Sequence, residues 1–397
     1  MQKNTLPLLC ALALVATPAA LRAQFDFKAG SVPVQIHSFG SQGFAYSNQN
    51  NYLTMKTSEG SFAMTDGGAN VSARISDKFR IGAQVYISNV GELNKWRPQL
   101  DWAFADYKAK DWLGIRAGKV KTALGLFNDT QDLETLHNWA LLPQGLYPVD
   151  LRDNTIAHTG VDLYGEIGLR SAGSMSYTAY AGKGGNNKRG GYYYSTEDNG
   201  APITKFDTKV AGGDVRWNTK MPGLVSGFSY MKKDSTLEGK LNAAGGLPYV
   251  IESSPQYLMS WYGDLTRGKV HLSAEYRRDH EILDVLTFGT HTLSDFSSHG
   301  WFAAGSYKIT KKLEVGSYYS AFYVNHPQAP GDAANHLFDK TVSARYDVTR
   351  YFHVKVEGHF IDGYGDLYSA HGFYLRSNPT GTKPTTNLLI VRTGFSF

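Results

Sequence analysis

Apolar and polar residues alternate strictly along many short stretches of this 397-residue chain. From Phe79 to Tyr86, for example, apolar residues take every second position, and Arg, Gly, Gln and Tyr lie between them. A period of two places each set on its own face of a β-strand. About sixteen such stretches can be recognised, near residues 32–36, 71–75, 79–85, 100–104, 113–117, 161–167, 175–179, 215–217, 224–231, 257–261, 270–276, 301–307, 313–319, 338–346, 352–360 and 389–397. The pattern predicts an all-β chain, with eighteen strands as an open alternative to sixteen.

The polar face of these stretches carries many charged side chains, and this indicates a membrane barrel. Charged residues face lipid only at high cost, so the polar set is expected to line a wet lumen and the apolar set to face lipid. In the fourth stretch this assigns Trp102 and Phe104 to the lipid face, whereas Asp106 and Lys340 break the alternation and are expected to mark bulges or interface positions. We predict a transmembrane antiparallel β-barrel, with a secreted all-β domain as the alternative.

The connections between the stretches alternate between short and long. Tight links fall after every second stretch, as at Ser76–Lys78, Thr266–Gly268 and Val348–Arg350, and longer links are expected after the others. This rhythm is typical of short periplasmic turns and long external loops. The glycine-rich run Gly182–Gly191 falls in a long link. Since a phosphate cradle needs a helix after it, and none is predicted there, we interpret the run as an external loop.

The first 23 residues have the layout of a secretory signal peptide. A positive residue, a short apolar core and small residues follow one another at Lys3, Leu6–Val15 and Ala19–Ala23. Cleavage after Ala23 would leave residues 24–397 as a single barrel domain and would remove the one cysteine of the chain, Cys10. The loss of Lys3 and Arg22 lowers the formal net charge from +5 to about +3, by the ordinary charge count.

The sequence offers little support for catalysis, metal binding or nucleic-acid binding. No run of basic residues is present, which argues against nucleic acid. There is no G-x-S-x-G and no H-E-x-x-H motif. His353 and His359 share a face but lie about 20 Å apart along a strand, too far for one metal ion. We therefore predict no enzyme activity, cofactor or metal, with a barrel-borne hydrolase as an alternative.

The third long link, from Val120 to Thr155, differs in composition from the others. Within it, Asp132–Leu142 is predicted to form a short helix with Asp132 as its cap, which Pro143 ends. An apolar loop of this length would be costly in water. We expect it to fold into a barrel wide enough to hold it, with an external capping loop as the alternative.

Several charged residues are predicted to meet at this inward loop. Counted from the periplasmic turns, four basic residues project into the lumen at a height of about 10–13 Å, and Arg80 lies slightly lower; the four are Arg116, Arg345, Lys355 and Arg392. Asp129, Asp132 and Glu134 of the loop would face some of them across the narrowest section, which would create a transverse field. Alternatively, each cation pairs with a neighbouring lumenal acid such as Asp214 or Glu357.

In these features the chain resembles the sixteen-stranded bacterial porins. The similar segments are Ser41–Phe44, Gly114–Lys119, Gly125–Asn128 and the terminal Phe397. The resemblance implies a passive channel for ions and small hydrophilic solutes, a homotrimer, and an outer-membrane setting of lipid and lipopolysaccharide. The phosphate-selective porins O and P are a more distant resemblance, but lumenal acids are about as frequent here as lumenal bases, which argues against phosphate selectivity. A non-conducting adhesion or structural barrel is the remaining alternative.

Overall fold

The computed structural model describes residues 25–325, 331–365 and 371–397, so the predicted signal segment lies outside the described residues. The described chain is built almost entirely from one antiparallel sheet. Its strands are β1 (Phe25–Ala29), β2 (Val32–Ser47), β3 (Ser61–Arg74), β4 (Phe79–Val90), β5 (Gln99–Lys110), β6 (Leu113–Lys121), β7 (Ala157–Gly168), β8 (Ser174–Gly184), β9 (Ile203–Asn218), β10 (Leu224–Leu241), β11 (Leu247–Arg267), β12 (Val270–Thr287), β13 (Thr290–Lys308), β14 (Leu313–Tyr323), β15 (His336–Asp347), β16 (Phe352–Gly363) and β17 (Thr385–Ser396).

The sheet closes on itself. Each strand from β2 onward pairs with the next one along the chain, and β17 pairs back onto β2, with Arg392 opposite Gly43. The closed ring has sixteen strands, and β1 is an extra strand paired with the first part of β2. Each of the sixteen predicted stretches falls on a strand of this ring, and two of them, 71–75 and 389–397, run one residue past its end. The predicted fold class is confirmed, and the count is sixteen rather than eighteen.

The two faces of the barrel differ as the alternation predicts. Large apolar side chains are exposed on the outside, as at Val85, Leu272 and Val356, whereas the alternate residues Gln84, Ser273 and Glu357 are buried in the interior. Side chains of this kind on the outer surface suit lipid. No helix among the described residues is long and apolar enough to cross a membrane. An apolar outer wall around a polar interior is what a transmembrane β-barrel presents to lipid.

One strand departs from the predicted faces because of a bulge. In β5 the pairing with β4 shifts between Leu100 and Trp102, which leaves Asp101 as an extra residue. Such a bulge inverts the faces of the residues beyond it. Asp106 therefore points inward, as does Phe104, and the assignment of Trp102 and Phe104 to the lipid face is wrong. Lys340, the other residue that broke the alternation, lies exposed between Tyr319 and Phe360 on the outer face.

Two external connections are shorter than expected because the strands themselves continue. Between β12 and β13 only Phe288 and Gly289 form the link, and both have positive φ, 53° and 73°. Positive φ at both central residues is the geometry of a tight turn that matches the twist of a hairpin. The link between β10 and β11 spans residues 242–246. As a result, β10–β13 form two tall hairpins on one side of the barrel.

The glycine-rich run is followed by a helix after all. Helix α1 (Gly191–Asp198) begins at the end of the run, which corrects the prediction of a helix-free loop. The amide of Gly191 donates to the carbonyl of Asp150 in the third long link. Tyr194 of the helix packs edge-on against Tyr374. The segment therefore covers part of the barrel opening.

Candidate functional site

The third long connection, residues 122–156, folds into the barrel and is called the third loop below. Its beginning contacts one side of the wall, where the amide of Gly125 donates to Ser229 Oγ of β10 at 2.8 Å. Its middle contacts another side, where the amides of Ala140 and Leu141 donate to Glu357 of β16, each at 2.9 Å. The loop therefore crosses the lumen, as predicted, and does not cap the barrel from outside.

The predicted helix over Asp132–Leu142 does not form. Only Glu134–Leu136 makes a single 3₁₀ turn, and the Asp132 side chain bonds to Gln84 and Lys121 rather than capping a helix. The reason is competition for the backbone. Side chains of the barrel wall take the amides and carbonyls that a helix would pair internally.

Three of the predicted basic residues form one lateral row on the wall. Arg345 of β15 lies directly opposite Lys355 of β16, which in turn lies opposite Arg392 of β17. We call these three residues the cationic row. Like charges directly opposite one another on neighbouring strands destabilise a sheet, so the row requires compensating acceptors.

The third loop supplies acceptors from its backbone, in addition to the wall carboxylates of Asp347 beside Arg345 and Asp66 beside Arg392, each at 2.8 Å. Lys355 Nζ donates to the carbonyls of Glu134 at 2.7 Å and Trp139 at 3.0 Å. Arg345 and Arg392 extend the same arrangement, donating to the carbonyls of Thr135 (2.7 Å), His137 (2.9 Å) and Ala140 (2.6 Å). The cationic row thus holds the loop along residues 134–140. Lys355 and Arg392 are buried there, and Arg345 is half-buried.

Glu134 adds a carboxylate to this attachment. Its Oε1 lies 2.6 Å from Lys355 Nζ, and its Oε2 lies 2.7 Å from His353 Nε2. Burial alone would raise the pKa of Glu134, but Lys355, His353 and Arg392 outweigh it and hold the pKa well below the ordinary value. Glu134 is therefore ionised when the loop is docked.

The neighbouring His137 is held neutral. Burial lowers the pKa of His137 to about 4, opposed in part by its bond to the Thr130 carbonyl, which lies 3.0 Å from Nε2. Its ring packs edge-on against Phe127, with 5.1 Å between the ring centres. A positive charge there would lie close to the cationic row and would be poorly solvated.

The two predicted aspartates of the loop lie in different environments. Asp132 is buried and pairs with Lys121. Asp129 has 38% of its side chain exposed and lies 3.8 Å from Arg216 of β9, itself 29% exposed. Of the three predicted acids, Asp129 is thus the one that faces open space.

Arg80 and Arg116 meet on another part of the wall, formed by β4–β6, towards the end of the barrel that carries the short turns. Both approach Asp106, Arg80 at 2.9 Å and Arg116 at 3.4 Å, and both guanidinium groups lie over the ring of Phe104. Tyr164 donates to the other oxygen of Asp106 at 2.5 Å. These two cations pair with a neighbouring acid of the wall, as the alternative held, and Arg345 and Arg392 of the cationic row do the same with Asp347 and Asp66. Arg80 keeps 47% of its side chain exposed.

The two histidines excluded as a metal pair lie in separate networks. His353 bonds to Glu134, whereas His359 lies 2.8 Å from Asp339 and 2.9 Å from Glu357. Within the described ranges, no group of three or more His, Cys, Asp or Glu side chains is arranged to hold a metal ion.

Solved structures with the same architecture are known, although the sequence itself matches no protein-family model and no curated protein. OmpT of Vibrio cholerae superposes with a TM-score of 0.60 at 13% identity, covering 94% of this chain and all of that one. An anion-selective porin from Comamonas acidovorans superposes with a TM-score of 0.58 at 11% identity, over 92% of this chain and 100% of that chain. The outer-membrane channel DcaP of Acinetobacter baumannii gives a TM-score of 0.57 at 11% identity, over 95% and 100% of the respective chains. The chain has the outer-membrane porin fold. At this identity the likeness establishes the fold alone.

Several residues of this porin-like interior escaped the sequence analysis. Glu357 was considered only as an ion-pair partner, yet it binds the loop backbone. A second polar network also fixes the loop: Gln84 donates to both Asp101 and Asp132, and Arg152 donates to Asp101 at 2.7 Å. Glu357 and Gln84 occupy inward positions of the alternation, so the period marked them as lumenal. No sequence signal showed which of them the loop would cover.

Proposed function

We propose that this protein is a porin through which ions and small hydrophilic solutes diffuse passively across the outer membrane, in a lumen narrowed by the third loop. The observation that carries the proposal is a set of charged side chains that stay exposed beside the loop, inside the barrel: Arg80, Arg116, Asp129 and Arg216. Exposed charges on an inner wall need water around them. The proposal gives the chain no catalytic role and no cofactor.

We further propose that the channel has only a weak preference for charge. Arg80 and Arg116 share the single acid Asp106, which leaves one positive charge in excess. Arg216 lies between the acids Asp214 and Asp129, which leaves one negative charge in excess. The two excesses cancel, so an ion passing both groups meets little net charge.

A homotrimer is part of the proposal, supported by a polar patch on the outer wall. Gln42 of β2 points outward and accepts from Thr65 Oγ1 at 2.7 Å, and Thr393 Oγ1 donates to the Gln42 carbonyl at 3.3 Å. Gly40 and Gly67 beside them add no side chain. Polar side chains and bare backbone suit a protein contact better than lipid, and lipid and lipopolysaccharide would then surround the remaining wall.

A non-conducting structural barrel is the second candidate. It is favoured by the third loop itself, which bonds to Ser229 on one side and to Glu357 on the other. A loop attached on both sides blocks part of the lumen. The phosphate-preferring channel is less favoured, because the exposed cations Arg80 and Arg116 share an acid.

Current recordings in a planar lipid bilayer distinguish the porin from the non-conducting barrel. The detergent-purified mature protein, shown to be folded by β-rich circular dichroism and a heat-dependent gel shift, should give ohmic current steps with weak ion selectivity. Steps that arrive in threes would support the trimer. Silence from folded protein in several lipid mixtures would favour the non-conducting barrel.

Variants of the third loop test whether it forms the constriction. Replacing Asp129, Asp132 and Glu134 by Asn, Asn and Gln should shift ion selectivity towards anions, most visibly at low salt, where screening is weak. Because Asp129 is the exposed acid, Asp129→Asn alone should give most of this shift. Deletion of residues 129–142 should enlarge the pore. Unchanged reversal potentials and solute cutoff in all three variants would show that the loop does not constrict it.

A further inference from the structure

A cavity of about 270 Å³ lies inside the barrel, between the third loop and the tall hairpins. On β10 its wall begins at Lys233, four residues beyond Ser229, where the loop touches this strand. Since β10 runs from a periplasmic turn outward, the cavity lies on the external side of the loop. Its volume is just below the range of about 300–1,000 Å³ that is usual for ligand pockets. It therefore suits a small molecule that enters from outside the cell.

One wall of the cavity carries a compact polar patch. Lys233, Gln256 and Glu281 lie on one lateral row of β10, β11 and β12, since Lys233 is opposite Gln256 and Gln256 is opposite Glu281. Asp279 lies on the same face of β12, two residues from Glu281, and accepts from Gln256 Nε2 at 2.8 Å. Two carboxylates and one ammonium group therefore line this patch.

Arg277, which also lines the cavity, does not neutralise the excess negative charge of this patch. Arg277 donates to Glu275 at 2.9 Å and to the carbonyl of Leu146 at 2.6 Å, so its guanidinium group is already committed. Asp279 Oδ1 is buried and has no hydrogen-bond partner among the described residues. A buried carboxylate oxygen without a donor is unfavourable, and a ligand that supplies one relieves that cost.

The rest of the lining mixes apolar and polar residues. Its apolar part is contributed by β11, β12, β14 and the third loop: Leu258, Leu283, Phe322, Leu146, Pro148 and Leu151. Its polar part includes Ser298, His299, Asn154 and Thr155. A ligand that fits both surfaces has a hydrophobic body at one end and a positively charged hydrogen-bond donor at the other.

We propose that this cavity is a capture site for small organic ammonium ions with an apolar body. The ammonium group donates to Asp279 and Glu281, and the apolar part lies against the leucines of the wall and the loop. The proposal deepens the porin function, because it gives the solute a binding point before the third loop. Its test measures binding directly and does not depend on conductance.

The experiment is titration calorimetry of the folded, detergent-solubilised protein with three probes of similar shape. Phenylethylamine carries the positive charge, phenylethanol is its neutral counterpart, and phenylpropionate is its anionic counterpart. We expect the amine to bind at least about tenfold more tightly than either, because a charge-assisted hydrogen bond in a half-buried site is worth at least that factor. Equal binding of the three probes would overturn the proposal.

Substitutions on the patch should act in opposite directions. Asp279→Asn and Glu281→Gln should each weaken binding of the amine by about tenfold, whereas Lys233→Met should strengthen it a few-fold by removing a repelling charge. Glu252→Gln is the matched control, because Glu252 lies on the neighbouring strand but is exposed on the outer face. If Glu252→Gln weakened binding as much as Asp279→Asn, or if Lys233→Met weakened it, the site would be wrong.

The bilayer experiment tests the porin function independently of the capture site. Amine binding with the expected pattern of variants supports the capture site even if the protein is silent in bilayers, an outcome that would overturn the porin function alone. Ohmic channels together with no amine binding would overturn the capture site alone.

Discussion

The third loop is attached to two regions of the barrel wall by different interactions. On β15–β17 the cationic row and Glu357 bind its backbone directly. On β8–β11 the contact is mainly apolar: Leu124 is fully buried in a cluster with Tyr180, Val210, Met231 and Leu258. Farther along, Phe127 stacks on Phe302 of β13, with 5.8 Å between the ring centres.

This difference shows what each kind of attachment contributes. Charged side chains that bond to carbonyls fix the path of the backbone, because these bonds are directional and costly to leave unmade. Apolar contacts depend on the area buried and tolerate shifts in position. The charged side of the lumen is accordingly filled by the loop, whereas the apolar side leaves room for the cavity next to Asp279.

The largest effect is expected from removal of the central cation, in Lys355→Met. Glu134 would then be buried without its closest partner, and the carbonyls of Glu134 and Trp139 would lose their donor. Breaking a buried ion pair on one side costs about 3–5 kcal/mol, which here weakens docking of the loop. We expect faster hydrogen exchange at the amides of Ala140 and Leu141, measured by mass spectrometry.

The matched control for this variant is Lys340→Met on the neighbouring strand β15. Lys340 points to the outside, between Tyr319 and Phe360, and does not touch the loop. It should leave exchange in the loop unchanged. If Lys355→Met also left the exchange of Ala140 and Leu141 unchanged, the cationic row would not be what holds the loop.

The same comparison explains how much the sequence could predict. The period of two assigned Arg345, Lys355 and Arg392 to the lumen. The number of residues between each of them and its turn predicted one common height. In the structure the three residues lie directly opposite one another on neighbouring strands. The face of a strand residue and its distance from a turn are matters of local geometry, which the order of residues specifies. Whether the eight predicted charges form the narrowest part of a conducting pore stays a prediction.

What the sequence could not show depends on contacts between distant residues. The helix predicted over Asp132–Leu142 fails because its backbone bonds to Lys355 and Glu357, more than two hundred positions away. The bulge at Asp101 likewise depends on the pairing of β5 with β4 and has no residue signature of its own. At Phe288 and Gly289 the glycine alone was a turn signal, since strict alternation does not continue on either side of it.

A smaller effect is expected on the apolar side from Leu124→Ala. Removing a fully buried leucine side chain costs about 3 kcal/mol, because the cavity that remains is only partly filled by relaxation. Protection should fall at the start of the loop and stay high near Ala140, as hydrogen exchange would show. Leu136→Ala is the matched control, since Leu136 is 62% exposed. Equal loss of protection along the whole loop would mean that the two attachments do not act separately.

The smallest effect is a pH dependence confined to the charged side. His137 takes up a proton near its ordinary value of 6.5 when the loop is undocked, whereas burial lowers its pKa to about 4 in the docked state. Docking is therefore strongest above pH 6.5 and weakens as the pH falls from 6.5 towards 4, by about 2 kcal/mol at pH 5. The pKa of Glu134 is also depressed, but its contribution is lost only below its ordinary value of 4.5. Between pH 6.5 and 4.5 the effect belongs to His137.

A spin label at Leu136→Cys can measure this effect, because Leu136 lies exposed beside His137 and the predicted mature chain has no other cysteine. Label mobility should rise between pH 7 and pH 5, and His137→Gln should abolish the rise. His271→Gln is the control, since His271 pairs with Asp264 on the wall, away from the loop. If the mobility rises equally in His137→Gln, another group controls docking. If label mobility does not rise in the Leu136→Cys protein with His137 intact, the loop stays docked at pH 5 and the predicted effect of His137 is absent.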